Sequence, residues 1–159
     1  MSSVNSIERI HKVIDACTTA ARHFLFINNE EQIPLNFRFL MPDGTMEHVS
    51  EQSLLGLSKG SIEALIGSIA ERLKPIALFQ ICEAKNPDDI DIFCVSASYN
   101  VDGSPAYTSL VIPITKNADG TRTLKDGMGE RISNFGLAGR PAFHFASKTF
   151  TSINSGENK

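Results

Sequence analysis

The sequence predicts an α+β fold: an antiparallel sheet of about five strands with two helices, in the order α-β-β-α-β-β-β, plus an irregular C-terminal region. Three observations predict it. One apolar stripe with helical spacing runs through residues 6–27 and another through 59–74. Between and after them stand short runs that alternate with period two. Those runs are separated by Pro-Asp-Gly, Asn-Pro-Asp and Asp-Gly-Ser clusters, which turn a chain back on itself.

The first helix rests on Ile7, Ile10, Ile14, Cys17, Ala21 and Phe24, spaced 3, 4, 3, 4 and 3 apart. Asn5 or Ser6 supplies its N-cap, and Glu8 lies favourably in its first turn. The spacing also suits a short coiled coil, but it spans too few heptads, so a helix lying across a sheet is the expectation. After the polar break 28–32, Leu35, Phe37 and Phe39 alternate with Asn36 and Arg38 as a half-buried strand. Pro42-Asp43-Gly44 turns the chain, and residues 45–49 return. The second helix buries Ile62, Leu65, Ile66, Ile69 and Leu73, with Ser58 or Gly60 as cap and Pro75 as stop.

Residues 76–84 are apolar at successive positions, as in a strand covered on both faces. Residues 90–99 and 106–114 follow as strands, and a symmetric first hairpin sets Cys82 opposite Cys94 as packing thiols. Pro113 suits a strand end or an edge. Residues 121–124 form a further short strand. Beyond Lys125 the pattern lapses into a stretch with Gly127, Gly129, Gly136 and Gly139. A single domain over 1–151 and a frayed polar tail over 152–159 complete the organisation. The helices are expected together on one face of the sheet. The element order resembles that of roadblock-type and profilin-like domains, and a helix followed by a meander is similar to hotdog folds. The likeness is one of topology and implies no activity.

The 159 residues carry a net charge of −3 and a pI near 5.8, with no two Lys or Arg residues adjacent. That excludes the electrostatic footprint of a nucleic-acid binder and argues against an anionic membrane surface. Three widely spaced cysteines, without C-x-x-C, exclude a zinc-ligand pattern and a secreted disulfide framework. There is no signal-like N-terminus and no apolar run near the roughly 20 residues that span a bilayer. A cytoplasmic protein is expected.

Four groupings bear on chemistry. Gly56-Leu57-Ser58-Lys59-Gly60 matches the G-x-S-x-G elbow of serine hydrolases, and Ser58, a loop acid (Asp88, Asp91 or Asp102) and His144 fall in hydrolase order. The chain before Ser58 is too short for the parallel sheet that supports such an elbow, and a plain N-cap explains the same serine. Backbone amides of the glycine-rich stretch, with Lys125, Arg131 and Arg140 nearby, suit a phosphate or carboxylate, though no nucleotide motif is present. Glu83, Asp88, Asp89 and Asp91 form an acidic hairpin tip that lacks metal-binding register, so no metal is expected. The histidines His11, His23, His48 and His144 have no metal-site spacing, and His11 with Asp15 reads as a surface pair.

No cofactor is implied. The expected function is a non-enzymatic module for protein association, with self-association through the first helix as its positive sign. The alternative is a small-molecule-binding domain or small hydrolase built on Ser58 and His144.

Overall fold

The computed structural model describes residues 6–27, 31–49, 51–85, 87–125, 130–133 and 149–154. Helix α1 (Ser6–Ile27) leads to strands β1 (Asn36–Leu40) and β2 (Met46–Val49). A 3-10 turn at Glu51–Leu54 precedes helix α2 (Lys59–Leu73). Strands β3 (Ala77–Lys85), β4 (Asp91–Val101), β5 (Ser104–Lys116), β6 (Arg122–Leu124) and β7 (Glu130–Ser133) follow. They form one antiparallel sheet in the order β2-β1-β3-β4-β5-β6. Strand β7 also pairs with β5. The α+β class and the element order are those expected. The sheet is larger, because the glycine-rich region contributes β7, where little periodicity announced a strand.

Strands β6 and β7 share one edge of β5, β6 at Ile114–Lys116 and β7 at Thr108–Val111. Pro113 falls in the gap between them. Its carbonyl accepts from the Lys125 amide at 3.0 Å, so its missing N–H faces that same edge, where the β6 pairing ends, and leaves the ladder with β4 whole.

The helices do not share a face. Phe37 and Phe39 of β1 and Leu78 of β3 pack with Ile62, Ile66 and Ala70 of α2. The alternating positions Leu40, Ala77, Phe79 and Ile81 pack instead with Ile10, Ile14, Cys17, Ala21 and Leu25 of α1. Successive side chains on a strand point to opposite faces, so the sheet lies between the two helices. The larger core is on the α1 side, where Phe93, Val95, Leu110 and Ile112 complete it. Strand β3 is buried on both faces over residues 77–81, as its largely apolar sequence predicts. Ile62 and Ile66 of α2 are buried as expected and Ile69 and Leu73 are partly buried, whereas Leu65, expected on the buried face, is exposed and Ala70 takes a buried place.

Three turns fix the register. Met41–Thr45 and Asn117–Thr121 repeat one design: an aspartate, then glycine at φ 90°, then threonine. Asp43 Oδ1 accepts from the Thr45 amide at 3.0 Å and its hydroxyl at 2.7 Å, and Asp119 does the same for Thr121 at 3.0 and 2.6 Å. These bonds hold both carboxyls below the usual carboxylate range. Asp102 and Gly103, at φ 51° and 85°, make a two-residue turn between β4 and β5.

Ser152 and Ile153, expected within a frayed tail, are instead part of the fold. Ile153 bridges Val101 in parallel; its amide donates to the Asn100 carbonyl at 2.7 Å and its carbonyl accepts from Asp102 at 2.9 Å. Phe150 is buried against the α2 core, and the Thr151 amide donates to the Pro75 carbonyl at 2.8 Å. Residues 155–159 lie outside the described residues.

A buried ion pair ties the far end of the sheet. Arg122 of β6 donates to Glu83 of β3 at 2.8 Å, with side chains 9% and 2% exposed. The same guanidinium reaches the Glu31 carbonyl, and the Ile33 amide donates to Glu83 at 3.0 Å. The pair therefore holds β3, β6 and the α1–β1 connection together. Arg122→Ala leaves the Glu83 charge buried without its partner and is expected to lower stability by about 3–5 kcal/mol in urea unfolding. Ile66→Ala, at the centre of the α2 core, is expected to cost about 2–5 kcal/mol in the same measurement.

Candidate functional site

Strand alternation that sends Phe37 and Phe39 to α2 necessarily sends Asn36 and Arg38 beneath α1. There α1 presents alanine at positions 20 and 21, and these small side chains leave space. The result is a cavity of about 140 Å³. Ala20, Ala21 and Phe24 form its roof, Ile33 and Pro34 one end, and Ile81 part of its floor. Two polar side chains enter it. Asn36 Nδ2 is committed to the Pro34 carbonyl at 3.2 Å. Arg38 Nη1 points at Cys17 Sγ from 3.9 Å, a weak contact for a group with five donors. Burial pushes the Cys17 thiol up, and the nearby Arg38 charge only partly offsets this, so the thiol stays neutral at physiological pH.

A second, polar cleft of about 440 Å³ lies at the β3–β6 end, lined by Gln32, Glu83, Lys85, Asp91, Lys116 and Arg122, with Gly120 at its margin. Its charges are mostly spent on each other. Arg122 holds Glu83, and Lys85 holds Asp91 at 3.1 Å and Asp89 at 3.7 Å. Those carboxylates raise the Lys85 pKa, Asp91 most strongly. The acidic hairpin tip thus separates: Glu83 is a buried structural anion, while Asp89 and Asp91 serve an exposed lysine. Among the described residues, no group of three His, Cys, Asp or Glu side chains is placed to hold a metal ion.

Ser58 is the N-cap of α2. Its backbone is extended at φ −71° and ψ 165°, and its side chain accepts from the Ser61 amide at 3.2 Å. It is exposed and lines neither cavity. Lys125 is exposed beside β6, and its amide serves the Pro113 carbonyl. Arg131 is placed in β7 by its backbone, opposite Leu110. Its side chain, Arg140 and His144 lie outside the described residues. Asp88 and Asp91 stand at the β3–β4 end and Asp102 at the β4–β5 turn.

Cys82 and Cys94 face each other across β3 and β4 as the sequence indicates, both unbridged. Burial raises both thiols, and the neighbouring Cys82 helps push Cys94 up to about 12.

Arg38 and the Glu83–Arg122 pair are absent from the sequence-derived candidates. Arg38 reads there as the solvent face of a half-buried strand. The available signal is residues 76–84, apolar on both faces, which require cover on both sides of the sheet and so over the Arg38 side of neighbouring β1.

Comparison with protein-family models, with curated proteins and with solved structures finds no match.

Two outcomes follow from this geometry. Ser58→Asp should leave stability within about 0.5 kcal/mol, and Ser58→Ala should cost about 1 kcal/mol, because aspartate also caps well and alanine does not. A fluorophosphonate probe should leave Ser58 unlabelled. For Cys94, a folded-state pKa raised from 9.0 to about 12 means the thiol favours folding below pH 9, and that contribution is lost as pH rises toward 12. Cys94→Val should therefore flatten the decline of stability between those pH values, measured by denaturant unfolding.

Proposed function

We propose that this chain is a small non-enzymatic association module of the cytoplasm, and that its partner is a second copy of itself meeting it along the outward side of α2. The expected surface has moved. The α1 stripe is largely consumed inside the chain, with Ile10, Ile14, Cys17 and Ala21 buried and Ile7 and Phe24 partly so, and what α1 leaves exposed is Phe26 and Ile27 at its end. The observation that carries the reading is a set of exposed leucines around the start of α2. Leu55 is 68% exposed, Leu57 40% and Leu65 37%.

Leu55 and Leu57 lie in the connection entering α2, and Leu65 lies two turns along it. Between the terminal charges, the outward side of α2 carries Ser61, Ala64 and Ser68, all exposed, small and uncharged. Small side chains let two helices approach closely, and an antiparallel twofold crossing opposes their dipoles. A standard interface buries about 1,600 Å² in total, more than one helix face supplies, so the two leucines of the connection belong to it.

The edge strand β2 makes a poorer self-contact. A twofold pairing keeps each residue on its own side of the sheet, so it centres on Glu47 or on His48 and sets like groups opposite each other. The three unbridged thiols support a reducing compartment. The net charge of −3 argues against nucleic acid. No helix among the described residues is long and apolar enough to cross a membrane. The alternative, a hydrolase using Ser58 and His144, draws no support from a serine whose hydroxyl caps a helix.

Light scattering at micromolar concentration tests the reading. The wild-type chain should show twice the 17.4 kDa chain mass. The double variant Ala64→Arg, Leu65→Lys should return to the single-chain mass with an unchanged circular dichroism spectrum. A wild-type mass of one chain at every concentration would overturn it.

A further inference from the structure

The cavity beneath α1 contains a charge that the fold does not explain. Arg38 is half-buried there, and it lacks a carboxylate partner of the kind that Arg122 has in Glu83. Its cross-strand neighbours are His48 on β2 and Phe79 on β3, and its neighbour above is the Cys17 thiol. Among the described residues, no carboxylate lies within 4.0 Å of it. A neutral Cys17 supplies no anion in its place. The rest of the cavity is apolar and small, with Ala20, Phe24, Ile33 and Ile81 on its walls.

We propose that this cavity is a binding site for a small aromatic or branched aliphatic monocarboxylate, with Arg38 holding the carboxylate and the apolar body lying between α1 and the sheet. Size and charge both select this class. A volume of about 140 Å³ matches a single six-membered ring, since a dry apolar cavity of about 150 Å³ takes up benzene. A planar guanidinium offers two parallel N–H groups to a carboxylate, a charge-assisted pair about twice as strong as a neutral hydrogen bond. Asn36, whose amide has a second N–H beyond the one given to Pro34, stands on the same face of β1 to receive a carboxylate oxygen. The volume seats one ring-sized apolar body against Ala20, Ala21 and Phe24 beside the Arg38 guanidinium. This site is separate from the α2 surface and stands whether or not the chain self-associates.

Benzoate is the probe and benzamide its neutral counterpart of the same shape. Each is titrated against the full chain by ligand-observed NMR, with inorganic sulfate as a third arm. Wild-type protein is expected to bind benzoate at least tenfold more tightly than benzamide, with sulfate failing to displace it. Arg38→Gln should remove that preference while circular dichroism remains unchanged. Ala20→Phe, an exposed position on the cavity roof, should fill the space and abolish binding of both without touching the core. Equal binding of benzoate and benzamide to the wild-type chain overturns the proposal. So does benzoate binding that survives Ala20→Phe, or displacement of benzoate by sulfate, which would reduce the site to a surface cation.

Discussion

Strands β1 and β3 send alternate side chains to two different helices, and the rest of the molecule is arranged around that division. Phe37, Phe39 and Leu78 can bury only if α2 lies on one side; Leu40, Phe79 and Ile81 can bury only if α1 lies on the other. A one-residue slip of β1 would exchange these sets and place Arg38 in the α2 core. The register of β1 is therefore held on both sides, by the Asp43–Thr45 turn into β2 and by five paired positions with β3. Other features read as consequences. The sheet is covered on both faces at its centre, the larger core lies under the longer helix, and polar residues that fall on a covered face must find partners or a ligand.

Glu83 and Arg122 show how the structure handles such a residue. Both side chains are almost wholly buried, and each satisfies the other plus one backbone group. A buried pair of this kind is weak evidence of net stabilisation, because desolvation offsets most of its attraction. Its value lies in selection: only one alignment of β6 and the α1–β1 connection over β3 lets both charges be met. Arg38 lies under the same helix, where no carboxylate answers it. The contrast between two arginines on one face of one sheet separates a structural charge from one available to bind.

Much of the fold was legible because it rests on local periodicity. The α1 stripe, the alternation of Phe37 and Phe39, the apolar run of β3 and the Asp-Gly turns are each contained within a few residues. What was not legible depends on long-range placement. The side of the sheet taken by α2 is not written in α2 itself; it follows from the parity of β1 and β3 together. Strand β7 escaped notice because Glu130–Ser133 adds only four residues to an edge that β6 already shares. Ile153 was lost in a polar tail because a single buried residue has no period. At the site level, Ser58 was legible as a cap because capping is local chemistry. Arg38 was not, because nothing in its own neighbourhood reveals that the strand is covered from above.

The attachment of Ile153 to Val101 bears on the order in which the molecule assembles. Its contacts join residues about a third of the chain apart, and those between Phe150 and the α2 core and between Thr151 and Pro75 join residues about half the chain apart. Closing such loops is entropically slow, and a sheet dominated by distant pairings folds late compared with a bundle of helices. During synthesis, at roughly 5–20 residues per second, the β3–β4–β5 meander is complete for several seconds before its last neighbour arrives. Through that interval the α2 core lacks Phe150, and the end of β4 beside Val101 lacks its companion. The nascent chain thus passes through a state with an open seam, and the last described segment acts as its latch.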